Sequence, residues 1–255
     1  MRLRGAVLYG LMVMGVFLPW YGYLEPVGYG TTRFPSDPLM SSGQPGIDPM
    51  KQRQSAEYRL QGLTALQQRQ WSLAIARLRQ SVSLAPDNLQ GRIMLGWALH
   101  LDSQSTAAKS ELMTVINHDP TQVKAFNAIG IANLVSGDLS HAILFHLWGA
   151  WLKPDNEIAY YNLSLAFQRL GLYAPALAVG MRATQLEPEN PHPWIALSLS
   201  EWSTRQISQA QITYRRALAI DGRFADRQFL SYLNEAGFSP EQIQLTAHIL
   251  ASLSP

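Results

Sequence analysis

The chain has 255 residues, is 47% hydrophobic and 15% charged, and contains no cysteine. An apolar fraction of that size excludes wholesale disorder. The missing cysteine excludes a disulfide scaffold, a cysteine-ligated zinc or iron–sulfur centre, a thiol nucleophile and a lipid-modified cysteine anchor.

The net charge of +2 is local: residues 1–54 hold five Lys/Arg against three Asp/Glu, whereas residues 55–255 hold fifteen of each. A neutral body lacks the positive stripe that replaces counterions on a nucleic acid, so no nucleic-acid partner is expected. In chain order, residues 1–24 read as an N-terminal membrane anchor or signal sequence. Arg2 and Arg4 precede an uncharged run from Gly5 to Leu24. At a rise of ~1.5 Å per residue this run reaches about 30 Å, the thickness of a bilayer's hydrocarbon core. Trp20, Tyr21 and Tyr23 cluster at its far end, where amphipathic rings favour the water–lipid boundary. A cleaved signal peptide would instead use Met1–Arg4 as its charged start and Ala6–Leu18 as its apolar stretch. It would then need small residues ahead of the cut, and Gly28 and Gly30 are the best on offer. The uncleaved anchor is the favoured reading. Either way Arg2 and Arg4 stay cytoplasmic and the rest is translocated to a periplasm or lumen, a bias softened by Arg33.

Residues 25–54 read as a linker. Glu25 to Met50 holds five prolines and four glycines and no apolar periodicity.

The body repeats every 34 residues. Prolines recur at Pro86, Pro120, Pro154 and Pro188, and a fifth cycle reaches the helix stop Asp221-Gly222. Alanines recur at Ala74, Ala108, Ala142, Ala176 and Ala210. Gly62, Gly96 and Gly130 keep the same period, replaced by Ser164 and Ser198. Small residues at fixed spacing are what two closely packed antiparallel helices need at their crossing. This period and residue set resembles the tetratricopeptide repeat (TPR) family. The resemblance implies an all-α, right-handed superhelical solenoid of five helix pairs at 55–88, 89–122, 123–156, 157–190 and 191–224. The family's early large residue stands as Tyr58, Phe126, Tyr160 and Trp194, with Arg92 departing from it. Asn133, His146 and Glu201 also occupy positions that are usually apolar or bulky. A solenoid's last repeat exposes an apolar face, and residues 225–255 read as the helices that cap it. Phe224, Phe229, Leu230, Tyr232 and Leu233 share one side of a short helix ended by Gly237. Ser239-Pro240-Glu241-Gln242 then starts a final helix running to about Leu253.

No catalytic machinery is found: there is no nucleophile elbow, P-loop, dinucleotide fingerprint, zinc-protease helix or calcium loop. His141 and His146 are five apart and point to different helix faces. Asn162-Leu163-Ser164 matches the glycosylation tripeptide but places Leu163 at a core position. The reading is therefore a non-enzyme with no catalytic residue, no metal and no cofactor.

Two binding surfaces follow from the family register. The first helix of each repeat faces a concave groove through Arg59, Leu63, Ile93, Trp97, His100, Asn127, Ile131, Leu134, Tyr161, Leu165, Gln168, Arg169, Ile195, Leu199 and Trp202. Family members that grip a chaperone peptide's C-terminal carboxylate use Lys or Arg with Asn at groove positions of successive repeats, filled here by Arg59 and Leu63, Ile93 and Trp97, Asn127 and Ile131, Tyr161 and Leu165, and Ile195 and Leu199. A carboxylate-clamp chaperone peptide is thus excluded as a partner. An apolar floor suits an apolar extended segment or an amphipathic helix, with Trp97, Tyr161 and Trp202 as anchors. The alternative is that superhelical packing buries this floor between neighbouring helices. On the outer side, repeats one, two, four and five present mostly polar residues, whereas repeat three presents Leu144, Phe145, Trp148 and Trp151. So large an apolar patch is unusual on a monomer and suits a protein partner or a membrane surface. The linker or C-terminal helix folding back over it is the alternative.

An anchor followed by a neutral array is similar to membrane-tethered repeat proteins that help assemble membrane complexes, photosystem assembly factors of cyanobacteria and plastids among them. The expectation is a non-catalytic scaffold or assembly factor whose partners are membrane-complex subunits. A stable structural subunit of such a complex, and a secreted or periplasmic module released by cleavage, remain the alternatives.

Overall fold

A computed structural model describes residues 48–253 of the chain, and Pro49 onward forms one compact unit. The proposed anchor, with Arg2, Arg4, Trp20, Tyr21 and Tyr23, and all of the linker up to residue 47 lie outside the described residues. Among the described residues there is no strand, and no helix is long and apolar enough to cross a membrane.

Ten helices form five antiparallel pairs. They are α1 (Pro49–Gln67) with α2 (Trp71–Leu84), α3 (Leu89–Leu101) with α4 (Ser105–His118), and α5 (Val123–Val135) with α6 (Leu139–Leu152). Then come α7 (Glu157–Arg169) with α8 (Tyr173–Leu186), and α9 (Pro191–Ser203) with α10 (Ile207–Ile220). Each helix also packs on the next pair, so the core is one continuous seam. Helix α1 starts at Pro49, ahead of the expected Ser55. Pro49 suits the first turn of a helix, where no backbone donor is needed. The segment Met50–Gln54 therefore belongs to the first repeat and not to the linker.

The period is visible in the packing. Ala74, Ala108, Ala142, Ala176 and Ala210 are all fully buried. A Cβ on Gly62 would meet Leu78 at 2.6 Å, and one on Gly96 would meet Leu112 at 2.7 Å. Only glycine lets those two helices approach so closely. In repeat four the pair is inverted: Gly180 on α8 makes room for Ser164 on α7, with an ideal Cβ 3.4 Å from the hydroxyl. In repeat three the large partner of Gly130 is His146.

Turns repeat as well. Arg69, Ser103, Gly137, Gly171 and Arg205, each 34 residues after the last, adopt positive φ between the two helices of a pair. Only two of the five are glycine, so three repeats carry a conformation that L-residues rarely adopt. Asn88, Asn156 and Asn190 cap α3, α7 and α9 by accepting from the backbone NH groups of Gly91, Ala159 and His192.

The C-terminal segment does not simply cover the end of the last repeat. It forms two 3₁₀ turns, Gly222–Ala225 and Phe229–Ala236, then the helix α11 (Pro240–Ala251). Gly237 ends the second turn in the left-handed region, and Ser239 with Gln242 closes a capping box on α11. The expected short helix is thus a pair of tighter turns, and they run along the concave side of the array.

Candidate interaction surfaces

The concave side is filled by the chain itself. Phe224, Leu230, Leu233, Phe238 and Ile249 from the C-terminal segment share one buried cluster with Leu134, Leu165, Ile195 and Leu199 from the first helices. Tyr161 donates its hydroxyl to the carbonyl of Ala236 and lies 6.3 Å from the Phe238 ring. Gln242 donates to the carbonyl of Leu165 and to the side chain of Gln168. Trp202 meets His248 edge-on at 5.5 Å. Further along, Glu235 pairs with Arg69 of the first repeat across 166 residues of sequence, at 3.4 Å. Every residue assigned to the groove is buried or half-buried, and none is exposed.

Leu63, Ile93, Trp97, Leu134, Leu165, Ile195 and Leu199 are buried, and Asn127 is buried in a reciprocal amide pair with Asn156 at 2.9 and 3.0 Å. Arg169 donates to the carbonyl of Leu134 at 2.7 Å, and Gln168 to Ser203. The aromatic anchors are therefore already engaged: Trp97 is buried beside His100, while Tyr161 and Trp202 face the C-terminal segment. An open apolar floor was the expectation for these residues. The reason for the difference is physical. A row of large apolar side chains left in water costs ~25 cal/mol per Å² of exposed area, and the chain's own last thirty-odd residues remove that cost within the molecule.

Burial also sets the charge state of the inner histidines. His146 is enclosed on all sides, neither ring nitrogen has a hydrogen-bond partner, and desolvation pulls its pKa down to about 3. His192 is lowered to about 4 by desolvation, with Arg223 adding to this and Asp221 opposing it. His100 is lowered to about 4 by desolvation and by Lys109. Among the described residues no group of His, Asp or Glu converges as a metal site. A cleft of about 380 Å³ lies between Leu139, Gln168 and Arg169 on one side and Ser239, Glu241, Gln242 and Leu245 on the other. Its polar groups are spent on structure: Gln242 closes the capping box, and Arg169 holds Leu134.

The outer side is different. In repeats four and five an arginine on the second helix lies over the large ring of the first: Arg182 over Tyr160 at 5.9 Å and Arg216 over Trp194 at 5.8 Å. The same two positions in repeat three are Phe126 and Trp148, stacked at 6.1 Å. Helix α6 turns inward through Ala142, His146 and Gly149. Outward it presents Leu144 (55% exposed), Leu147 (48%), Trp148 (44%) and Trp151 (71%), with Phe145 half-buried beneath them. The Trp148 and Trp151 rings are 5.3 Å apart. Leu147 belongs to this face and was missed from the sequence because its register position alone does not mark it as outward. No residue of α6 is an Asp, Glu, Lys or Arg.

Comparison with known proteins agrees with this geometry. A family model for the tetratricopeptide repeat matches residues 158–190, the fourth helix pair. Residues 158–190 are thus similar to a tetratricopeptide repeat, and the other four helix pairs keep the same 34-residue period. It is 27% identical over 154 residues to a BBSome complex member BBS4 homolog of Drosophila melanogaster. That match covers 60% of this chain, which spans only about a third (32%) of the relative's length. Among solved structures, pilF of Pseudomonas aeruginosa superposes with a TM-score of 0.64 at 16% identity, over 78% of this chain and 90% of that one. The protein MamA gives 0.57 at 19% identity, over 68% and 94%. A thermophilic TPR protein of Thermus thermophilus gives 0.57 at 16%, over 66% and 92%. At these identities the structures share the fold with this chain. TPR arrays in general mediate contacts between proteins.

Proposed function

We propose that this chain is a non-catalytic interaction scaffold, acting as an assembly factor for a membrane complex. Residues 1–24 hold it at the membrane with the repeats on the translocated side. Its partners, subunits of that complex, meet the outer surface and not the groove. The observation that carries this is the contrast between a concave side already occupied by Leu230, Leu233 and Phe238 and an outer side left exposed along the second helices at Ser110, Met181 and Ile212. The anchor rests on Arg2, Arg4, the uncharged run to Leu24 and the aromatic cluster at Trp20, Tyr21 and Tyr23.

Photo-crosslinking in native membranes tests the reading. A reactive group at Ile212 or Ser110, on the outer helices, is expected to capture complex subunits. The same group at Ile131, on the concave side, is expected to give only intramolecular products. Capture of a subunit from Ile131 alone would overturn the assignment to the outer face. An assembly factor co-migrates with immature forms of its complex, whereas a permanent subunit stays at fixed stoichiometry in the mature one. A mature N-terminus near Gly30 would remove the anchor.

A further inference from the structure

We infer that the α6 face of repeat three is a lipid-docking surface, which lays the repeat array against the membrane that the chain is tethered to. The inference rests on the membrane-anchor reading for its geometry, and its test separates the two.

The first argument is chemical. The exposed face is made of two leucines and two tryptophans on one helix, with no Asp, Glu, Lys or Arg between Leu139 and Leu152. Leucine with tryptophan is the composition of helices that lie at a bilayer's interface, where the indole body is apolar and its NH stays wet. The charged groups at the two ends of the helix meet local partners and leave no excess of positive charge. At the start His141 sits 2.9 Å from Asp138, and at the end Lys153 lies 4.0 Å from both Asp155 and Glu157. The face therefore adheres by insertion and not by charge, and neutral lipid suffices.

The second argument is one of area and shape. A helix of 14 residues is about 21 Å long and about 10 Å wide. Its outer face offers a few hundred Å² at most, well below the ~800 Å² per partner of a stable protein interface. The flanking outer helices do not enlarge it: α4 adds Ser110, Glu111 and Thr114, and α8 adds Arg182 beside a single exposed Met181. The face is a convex ridge. A protein partner would have to supply a matching trough, whereas a headgroup layer yields to whatever is pressed into it.

The third argument is reach. Between Leu24, at the end of the uncharged run, and Pro49, at the start of α1, lie 24 residues rich in proline and glycine. Fully extended they span at most about 80 Å. A chain held by its first residues keeps the array within that distance of the bilayer. Weak insertion of four side chains is then enough, because the tether replaces most of the association cost.

The test uses the full chain reconstituted into phosphatidylcholine vesicles. The protein has no cysteine, so Leu147→Cys carries a polarity-sensitive dye at one defined place and leaves both tryptophans. Ile212→Cys, exposed on the outer side of repeat five, is the reference. With brominated acyl chains, the dye at 147 is expected to be quenched about twofold or more, and the dye at 212 to be unchanged. Adding Trp148→Ser and Trp151→Ser should abolish the quenching at 147, with circular dichroism and vesicle flotation unchanged.

A chain that floats with the vesicles but shows no quenching at 147 overturns the proposal. So does dye–dye contact between copies at 147 without lipid quenching, which would make the face a self-association site. A chain that does not float removes the anchor reading. The lipid face is then decided separately by titrating preformed vesicles: quenching at 147 upholds it, and its absence overturns it.

Discussion

Leu233 on the concave side and Trp151 on the outer side are both large apolar residues; the first is fully buried and the second is 71% exposed. Each belongs to a cluster of similar composition on opposite walls of one solenoid. The concave cluster is completed by a segment of the same chain, and the outer cluster is completed by nothing among the described residues of the array. The difference is one of connectivity. The chain leaves repeat five at Asp221 on the end of α10, and the turns Gly222–Ala225 and Phe229–Ala236 feed it into the groove. Apolar residues inside the curve are thus spent on stability, and apolar residues outside it remain available for contact.

The strongest way to break this contrast is to remove a side chain from the concave segment. Phe238 is buried against Leu134, Leu165 and the Tyr161 ring. Phe238→Ala is expected to cost about 3–5 kcal/mol, the usual range for deleting a buried aromatic side chain, read as a shift in urea midpoint of the purified chain. A loss below about 1 kcal/mol would mean that the segment is loosely seated and that the groove is open to partners after all.

Between the two surfaces lies the contact of α5 with α6, which holds the outer face in place. A Cβ on Gly130 would fall 2.6 Å from the His146 ring. Gly130→Ala should therefore destabilise by about 1–3 kcal/mol, the cost of overpacking a filled core, despite alanine's better helix propensity. The stiff imidazole has no free direction in which to retreat, since it is enclosed on all sides. A neutral or stabilising result in the same urea titration would place the ring elsewhere.

The imidazole itself gives a pH prediction. His146 is pulled from an ordinary value of 6.5 to about 3 by desolvation. Below pH 6.5 the unfolded chain binds a proton that the folded chain refuses. The stability linked to this residue is complete above pH 6.5 and is lost as pH falls from there towards 3. His100 and His192, lowered to about 4, act in the same direction. Glu187 and Glu201, both raised by desolvation, act oppositely and soften the slope. His146→Leu copies the Gly62–Leu78 and Gly96–Leu112 contacts of the first two repeats. It also removes two ring nitrogens that have no partner. It is expected to raise stability at pH 7 by about 1–2 kcal/mol and to flatten the pH 4–6.5 range of the urea midpoint. An unchanged slope would assign the acid sensitivity to the other two histidines.

Much of this architecture is written in the sequence because one contact recurs. The five alanines and the three glycines sit where the helices cross, and each repeat restates the constraint. What does not recur is not legible in that way. The left-handed turn residues keep the period, but Arg69, Ser103 and Arg205 hide it, because tertiary packing holds them in a conformation their type does not announce. The C-terminal segment occurs once, and its amphipathic pattern reads equally well as an end cap or a groove filler. Only long-range contacts such as Tyr161 with Ala236 and Arg69 with Glu235 distinguish the two, and no local signal encodes contacts 75 and 166 residues away. The α6 face was legible for the reverse reason: it breaks a pattern the other repeats keep, Phe126 and Trp148 standing where Tyr160 with Arg182 and Trp194 with Arg216 stand next door.

The smallest effect on folding is expected where the sequence departs most visibly. Trp151 touches Trp148 at the end of α6 and is otherwise open to solvent. Trp151→Ser should change the urea midpoint by no more than about 0.5 kcal/mol, as for surface positions in general. The comparison with Phe238→Ala is then a ratio of two aromatic deletions on opposite walls, several kcal/mol against almost none. A large loss at Trp151 would mean that a part of the chain outside residues 48–253 packs over it, making the outer cluster a second internal seam. A negligible loss means that this ring contributes nothing to the fold that a serine would not, so its place on the surface has to be explained by what the surface touches.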